Sequence, residues 1–305
     1  MAELLAFIDL GSNAVRCLLV RVTPGVGFEV LRQERVQTRL GGGRSGMLPQ
    51  TSVKDTLATV RRFLREVRRE DQPRVLAIAT AAVREAANRD DLLATLRRDE
   101  GVEVRVLSGE EEARLGTLAA LRSVSFRNGV VVDLGGSSLQ ITQVRESNIS
   151  STASLPLGAV RTTQRFLNSD PPTERELLAL REEIERQISS VLPPSRDGQE
   201  MIGLGGTVRT LASMHLATLD GPPQSRQGFR LRWTDITRMR ERLGRLPIRD
   251  RRWVPGLKVE RTDIILAGAV VVEEVMALGS YRTLTVCKDG VLHGLLLRET
   301  FNRGA

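Results

Sequence analysis

The chain has little of what disulfide-stapled and zinc-binding folds depend on. Its 305 residues include two cysteines, Cys17 and Cys287. Both sit in apolar runs (VRCLLV and LTVCKDG), too far apart to suggest a disulfide framework or a zinc motif, and are expected to be buried thiols. The two histidines, His215 and His293, cannot furnish a histidine-rich metal site or a His-Asp phosphohydrolase centre. Any catalytic metal must then be held by oxygen ligands, which favours Mg2+ or Mn2+. No segment approaches the ~18 uncharged apolar residues of a membrane span. The start, MAELLAFIDLGSN, lacks a basic region followed by an apolar run and a cleavage site, so a cytoplasmic protein without membrane association is expected. Lysine is almost missing too: of 45 basic residues only Lys54, Lys258 and Lys288 are lysine. An arginine bias can arise from a GC-rich genome, but the resulting net charge of +8 still favours a polyanionic, phosphate-bearing partner, with no sign of specific nucleic-acid recognition.

What is present reads as an α/β chain. LLAFIDL and AVRCLLVRV flank Gly11-Ser12-Asn13 and predict a hairpin. Val53, Leu57, Val60, Leu64 and Val67 recur at helical spacing and predict a helix over 52–70. A strand over 74–80, a helix over 81–99, a strand over 102–107 and a helix over 109–123 follow, an alternation that predicts layered α/β architecture. The pattern then restarts: Val130 to Val132 lead into Asp133, and Gly135-Gly136-Ser137-Ser138 turns the chain into LQITQV, repeating a D-x-G signature about one domain length after Asp9. The second half predicts a turn and helix start at Leu157 to Arg161, helices over 173–192, 234–246 and 261–278, a strand-turn-helix at MIGLGGTVRTLASM, a strand over 284–287 and a helix from 290. A boundary near residue 122 gives two domains, 1–122 and 123–305.

The chemistry concentrates in three glycine-rich turns. In Asp9-Leu10-Gly11-Ser12-Asn13 and again at Asp133, glycine lets the backbone approach an anion, and successive N–H groups can form a nest for phosphate oxygens. Gly203-Leu204-Gly205-Gly206-Thr207 can present a helix N-terminus to phosphate, or can be a tight turn with Thr207 as a cap. Ser108 to Glu111 fits a capping box, with Glu111 bonding back to the cap residue, unless Glu112 serves the cap or the helix dipole instead.

Seven ordered segments carry a resemblance: Asp9 to Asn13 with Arg16, ATAAVREAANRDDLL, LSGEEEARLG, VVDLGGSSLQI, SLPLGAVRTTQRF, GLGGTVRTLA and ERTDIILAGAVVVEEVM. Together they resemble the exopolyphosphatase and guanosine pentaphosphate phosphohydrolase (Ppx/GppA) family over nearly the whole chain. The resemblance implies an actin-like (ASKHA, ribonuclease H-like) pair of duplicated domains with an active site in the interdomain cleft. It also implies Mg2+-assisted hydrolysis of the terminal phosphate of inorganic polyphosphate or of pppGpp, and makes a homodimer plausible. By resemblance Glu111 is the catalytic base and Arg84 the arginine that grips phosphate, with Asn13 and Asn88 as lesser donors. Asp9, Asp133 and Glu111 are then the metal ligands, and Gly11, Ser12, Asn13, Gly135, Gly136, Ser137, Ser138, Gly205, Gly206 and Thr207 line the phosphates. Where the family usually reads D-x-G-G-G-S-x-E, this chain has Ser137 for a glycine and Gln140 for a carboxylate. An amide brings no charge and should weaken metal binding there. A binding homologue impaired in turnover and an ATP-using phosphotransferase of the same superfold are the competing readings.

Overall fold

The computed structural model describes residues 2–43, 46–70, 73–192, 194–196, 198–220 and 224–301. The chain forms two compact units, one built from the segment up to Glu112 together with the segment from Leu292, the other from Ala113–Val291. The division falls inside a helix, ten residues before the expected boundary near 122.

The first unit contains β1 (Glu3–Leu10), β2 (Ala14–Thr23), β3 (Gly27–Gln37), α1 (Gln50–Val67), β4 (Arg74–Ala79), α2 (Ala81–Arg84), α3 (Arg89–Glu100), β5 (Val104–Val106) and the first turn of α4 (Gly109–Ser123). Its sheet runs β3-β2-β1-β4-β5, antiparallel through the hairpins and parallel from β1 to β4 and β5. β1 is buried because both faces are covered; Ala6, Ile8 and Leu10 join the core with Val60, Phe63, Leu64 and Val67 of α1. That i, i+3, i+4, i+7 stripe is the reason α1 forms and docks.

The second unit contains β6 (Gly129–Leu134), β7 (Leu139–Arg145), β8 (Asn148–Leu155), α5 (Ala159–Phe166), α6 (Glu174–Ile188), β9 (Glu200–Leu204), α7 (Gly205–Leu216), β10 (Arg230–Arg232), α8 (Trp233–Arg245), α9 (Ile248–Arg251), α10 (Ile265–Leu278) and β11 (Thr283–Val286); α11 (Val291–Phe301) returns to the first unit. Its sheet runs β10-β11-β9-β6-β7-β8. Followed from the hairpin edge, β8-β7-β6-β9-β11 repeats the path β3-β2-β1-β4-β5, so the fold is an internal duplication in which Asp133 of β6 stands where Asp9 stands in β1. Along β6, Val130, Val132 and Leu134 enter the core beneath α10, while Val131 packs with Ala120 of α4 on the opposite face. Asp133 shares the Val131 face.

Three strands, β3, β8 and β10, and the short helix α9 arise where no such element is expected, while α5 continues the helix start expected at Leu157 to Arg161. The helix expected over 81–99 is two helices, because Ala87 gives its N–H to Gly46 (3.0 Å) instead of to its own helix, and Asn88 clamps Leu48 from both sides. The helix expected from 261 starts at Ile265, after a 3-10 turn at Val259–Arg261. Both cysteines are buried, as expected, and burial pushes their thiols up, to about 12 for Cys17 and about 11 for Cys287.

Helix α6 opens with a complete capping box. Glu176 accepts from the Thr173 N–H at 2.8 Å, and further N–H groups of Asn168 and Ser169 point at its other oxygen. These backbone donors, the Thr173 N–H foremost, lower its carboxyl from the ordinary 4.5 to about 2. A depressed folded pKa stabilises above the unfolded value and loses that contribution as pH falls through the folded one. Glu176→Gln should therefore lower the melting temperature at pH 7, with the gap to the parent protein closing between pH 4.5 and 2; a gap independent of pH in thermal melts would contradict this.

Candidate active site

Both Asp turns are anchored through their carbonyls. In the first, Ser12 O accepts from Gly41 at 2.7 Å and Asn13 O from Thr38 and Arg39, so a 3-10 turn at Leu40–Gly42 holds the loop. In the second, Gly135 O accepts from Ala159 (3.0 Å) and Gly136 O from Val160 (2.8 Å) and Arg161 (3.1 Å), so the start of α5 is spent on fixing the turn. Anchoring by acceptors leaves donors to meet an anion. One is plain: Asn13 Oδ1 accepts from Gln37 at 3.2 Å, but its Nδ2 is buried with no hydrogen-bond partner. A buried unsatisfied donor in a phosphate-type turn is explained by a ligand oxygen.

Asp9 is buried, with Arg16 3.6 Å away across the hairpin. Asp133 lies in a slot between two glycines. A Cβ on Gly116 of α4 would stand 3.3 Å from its Oδ2, and one on Gly205 would stand 3.0 Å from its Oδ1. Gly205 also has φ +94°, closed to most other residues. Ser137, Ser138 and Gln140 are buried nearby, and Gln140 donates to Ser138 Oγ at 2.7 Å and Ser154 Oγ at 3.1 Å.

Gly206, at the start of α7, has another neighbour. A Cβ there would overlap the guanidinium of Arg261, which is itself only 8% exposed. The guanidinium thus stands beside the N-terminus of α7, where the helix's first N–H groups and its dipole also favour an anion. Thr207 is not placed as a cap or donor; its side chain packs on Gly268 of α10, and α7 begins without a side-chain cap.

Two of the glutamates at the start of α4, Glu111 and Glu112, separate by role. Ser108 N–H donates to Glu111 Oε2 at 2.9 Å and Glu111 N–H to Ser108 Oγ at 3.1 Å, while Arg105 holds the other carboxylate oxygen of Glu111. These contacts, the Ser108 N–H first, lower its pKa. Ser108 is thus the cap residue and Glu111 its partner in the capping box. Glu112 is buried and receives Arg84 Nη1 at 3.2 Å; the same nitrogen donates to Leu107 O at 2.8 Å. Arg84 is therefore held beside a carboxylate, and Asn88 is committed to Leu48, where its Oδ1 accepts at 2.8 Å and its Nδ2 donates at 3.1 Å. Along α4, Glu112 precedes Gly116, the neighbour of Asp133, by one helical turn.

Sequence reasoning left Glu112 to the cap or the helix dipole and passed over Gly116 and Arg261. Glu112 was open to inference, since assigning Glu111 to the cap leaves its neighbour available. Nothing marks Arg261 among so many arginines except its place in the ERTD segment.

Among the described residues no group of three or more His, Cys, Asp or Glu side chains is gathered to hold a metal. The donor set instead suits Mg2+, which commonly takes one or two carboxylates and completes its shell with water and phosphate oxygens. Asp133, backed by glycines, fits that requirement. Glu111, with both oxygens engaged, does not.

The chain matches the model of the Ppx/GppA phosphatase family over residues 18–302. It is 30% identical to exopolyphosphatase 1 of Mycobacterium leprae over 303 residues, which span 97% of this chain and 89% of that one. It is 29% identical to exopolyphosphatase 2 of Mycobacterium tuberculosis, across 96% and 97% of the two chains. The Ppx/GppA family member of Aquifex aeolicus has the same fold, with a TM-score of 0.83 at 27% identity and full coverage of both chains. The chain belongs to the Ppx/GppA phosphatase family. It is a phosphohydrolase with that family's actin-like α/β fold. No helix among the described residues is long and apolar enough to cross a membrane.

Proposed function

We propose that the protein is a cytoplasmic exopolyphosphatase that releases orthophosphate from the end of inorganic polyphosphate, with the 5′-terminal phosphate of pppGpp as a second substrate. The observation that carries this reading is the pair of Asp-Gly turns at equivalent places of the duplicated sheets, the first of which holds the buried, unpartnered Nδ2 of Asn13 as a donor for a phosphate oxygen. The names of the mycobacterial relatives favour polyphosphate. In this reading the turns at Asp9 and Asp133 and the α7 N-terminus bind phosphate oxygens, and Arg261 offsets charge on the terminal phosphoryl group. Glu112 orients a water and accepts its proton as the water oxygen bonds to phosphorus; the bridging oxygen departs with the chain shortened by one phosphate. An incoming phosphate competes with Glu112 for Arg84, which turns the carboxylate towards the water. Bound at Asp133, Mg2+ would neutralise charge on the phosphate oxygens.

Phosphate release measured side by side on polyphosphate, pppGpp and ATP, with Mg2+ and with EDTA, tests this. Release from polyphosphate that EDTA abolishes is expected; release from ATP alone, or undiminished release in EDTA, would refute it.

Gln140 offers a finer test. Its neighbours Ser138 and Ser154 can rotate their hydroxyls to donate to a carboxylate, so Gln140→Glu fits the same space and places charge next to Asp133, its partner in the β6–β7 register. The Mg2+ activation curve should move to lower concentration. An unchanged or right-shifted curve would show that this position does not serve the metal.

A further inference from the structure

At the other end of the second sheet lies a separate cavity. It adjoins the start of β6 at Gly129, while the Asp133 turn follows the end of that strand, about 20 Å away at ~3.3 Å per residue. Its volume is about 920 Å³, within the range of small-molecule sites. Hydrogen bonds order its walls: Asn128 Oδ1 accepts from the Glu146 N–H at 3.0 Å, Asn128 O accepts from the Glu200 N–H at 3.0 Å, and Gln199 Oε1 accepts from the Arg196 N–H at 2.9 Å.

Two arginines line it, Arg145 at the end of β7 and Arg196 after α6, and neither guanidinium makes an ion pair or hydrogen bond among the described residues. Arg165 of α5 and Arg240 of α8, by contrast, pair with Glu183 and Glu273. Two unpaired guanidiniums on one concave wall suit a phosphate group, which they can grip through paired N–H donors. The rest of the lining does not suit a bare anion. Glu146 contributes a carboxylate, and Gln143, whose Nε2 is given to Val191 O at 3.2 Å, has its amide oxygen left as an acceptor. Gln199, whose oxygen is taken by Arg196, has its amide N–H groups left as donors. Tyr281 forms part of the wall and is 6% exposed. Burial pushes its phenol up to about 12, so it remains a donor at neutral pH. The wall therefore asks for a ligand with phosphate at one end and both N–H or O–H donors and acceptors at the other. A polyphosphate chain has no donors and would meet the Glu146 carboxylate.

We propose that this cavity is a nucleotide-binding site, separate from the phosphate turns, in which Arg145 and Arg196 hold the phosphate while Glu146, Gln143 and Gln199 meet the base and ribose. Titration calorimetry with AMP, GMP and UMP, with orthophosphate and tripolyphosphate as controls, tests it on the whole chain. Three proteins are compared: the parent, the double variant Arg145→Glu/Arg196→Glu, and Arg261→Ala. Because Arg145 and Arg196 are exposed, the double variant is expected to keep the fold, which its thermal melt checks. Binding of at least one nucleotide by the parent is expected, weakened about tenfold or more in the double variant, where two attractive charges become repulsive, and retained in Arg261→Ala. Polyphosphate hydrolysis by the double variant should be unchanged. No nucleotide binding by the parent at millimolar concentration would overturn the proposal. So would loss of binding in Arg261→Ala with retention in the double variant, since the nucleotide would then sit at the phosphate turns. Orthophosphate bound as tightly as the nucleotides would reduce the cavity to an anion site and overturn the assignment of the base.

Discussion

Glu112→Gln is expected to lower turnover by roughly 10²–10⁴-fold, the usual worth of a general base, with little change in substrate affinity. Glu111→Gln is expected to leave the rate nearly intact and to cost about 1 kcal/mol of stability, the usual worth of a helix cap. The two residues are adjacent and chemically identical, so the difference has to come from where α4 puts them. Glu111 is the third helical residue of a capping box, its oxygens engaged by the Ser108 N–H and by Arg105, and a base already saturated with donors is a poor proton acceptor. Its side chain is about one-third exposed, so the Arg105 ion pair adds little stability of its own. Glu112 is buried, with Arg84 as an ion partner at 3.2 Å, and Arg84 is the side chain that the family resemblance assigns to phosphate. Substrate that draws Arg84 to itself therefore also changes the surroundings of Glu112. Steady-state kinetics and thermal melts on both variants decide the matter. A Glu111 variant that melts normally but has lost turnover, beside a Glu112 variant that still turns over, would return the catalytic role to Glu111.

The pattern of what could be read in advance has a physical basis. The strands carrying Asp9 and Asp133 were legible because β1 and β6 are buried on both faces, so their residues are apolar almost without interruption up to the aspartate that ends the run. α1 was legible from its single apolar stripe. β3 was not, because it is an edge strand whose side chains are mostly exposed; in GFEVLRQERVQ the alternation is set by ion pairs such as Arg32 with Glu66 and Arg62 with Glu34, not by burial. Of α5 only the start was legible, because its first N–H groups are satisfied by the carbonyls of Gly135 and Gly136, a tertiary contact that no local pattern announces. The candidate site divides the same way. Aspartates at strand ends and glycines in turns have local signatures, whereas the neighbours that give them function, Gly116 against Asp133 and Arg261 against Gly206, come from distant segments.

That last contact supports the other large expected effect. Arg261→Ala should lower kcat/KM on polyphosphate by roughly 10²–10³-fold, the loss typical of one preorganised electrostatic donor to a developing charge. Gly206→Ala should approach the same loss by a different route. The added methyl group occupies the space of the Arg261 guanidinium, which is the far end of a flexible side chain and can swing aside without disturbing the backbone. Alanine also exceeds glycine in helix propensity by up to about 1 kcal/mol, so the protein should melt no lower than the parent while its activity falls. A displacement of about an ångström at a reacting centre can cost on the order of 10²-fold. Because both substitutions act on one guanidinium, their effects should not multiply: the double variant should be no worse than Arg261→Ala alone. Kinetics on the two single variants and the double variant give the answer directly. Multiplicative losses would mean that Gly206 serves the substrate through its own backbone, by close approach to phosphate, and that Arg261 acts independently of it. A Gly206→Ala enzyme with parental activity would remove Arg261 from the site altogether, since its guanidinium could then be displaced without consequence.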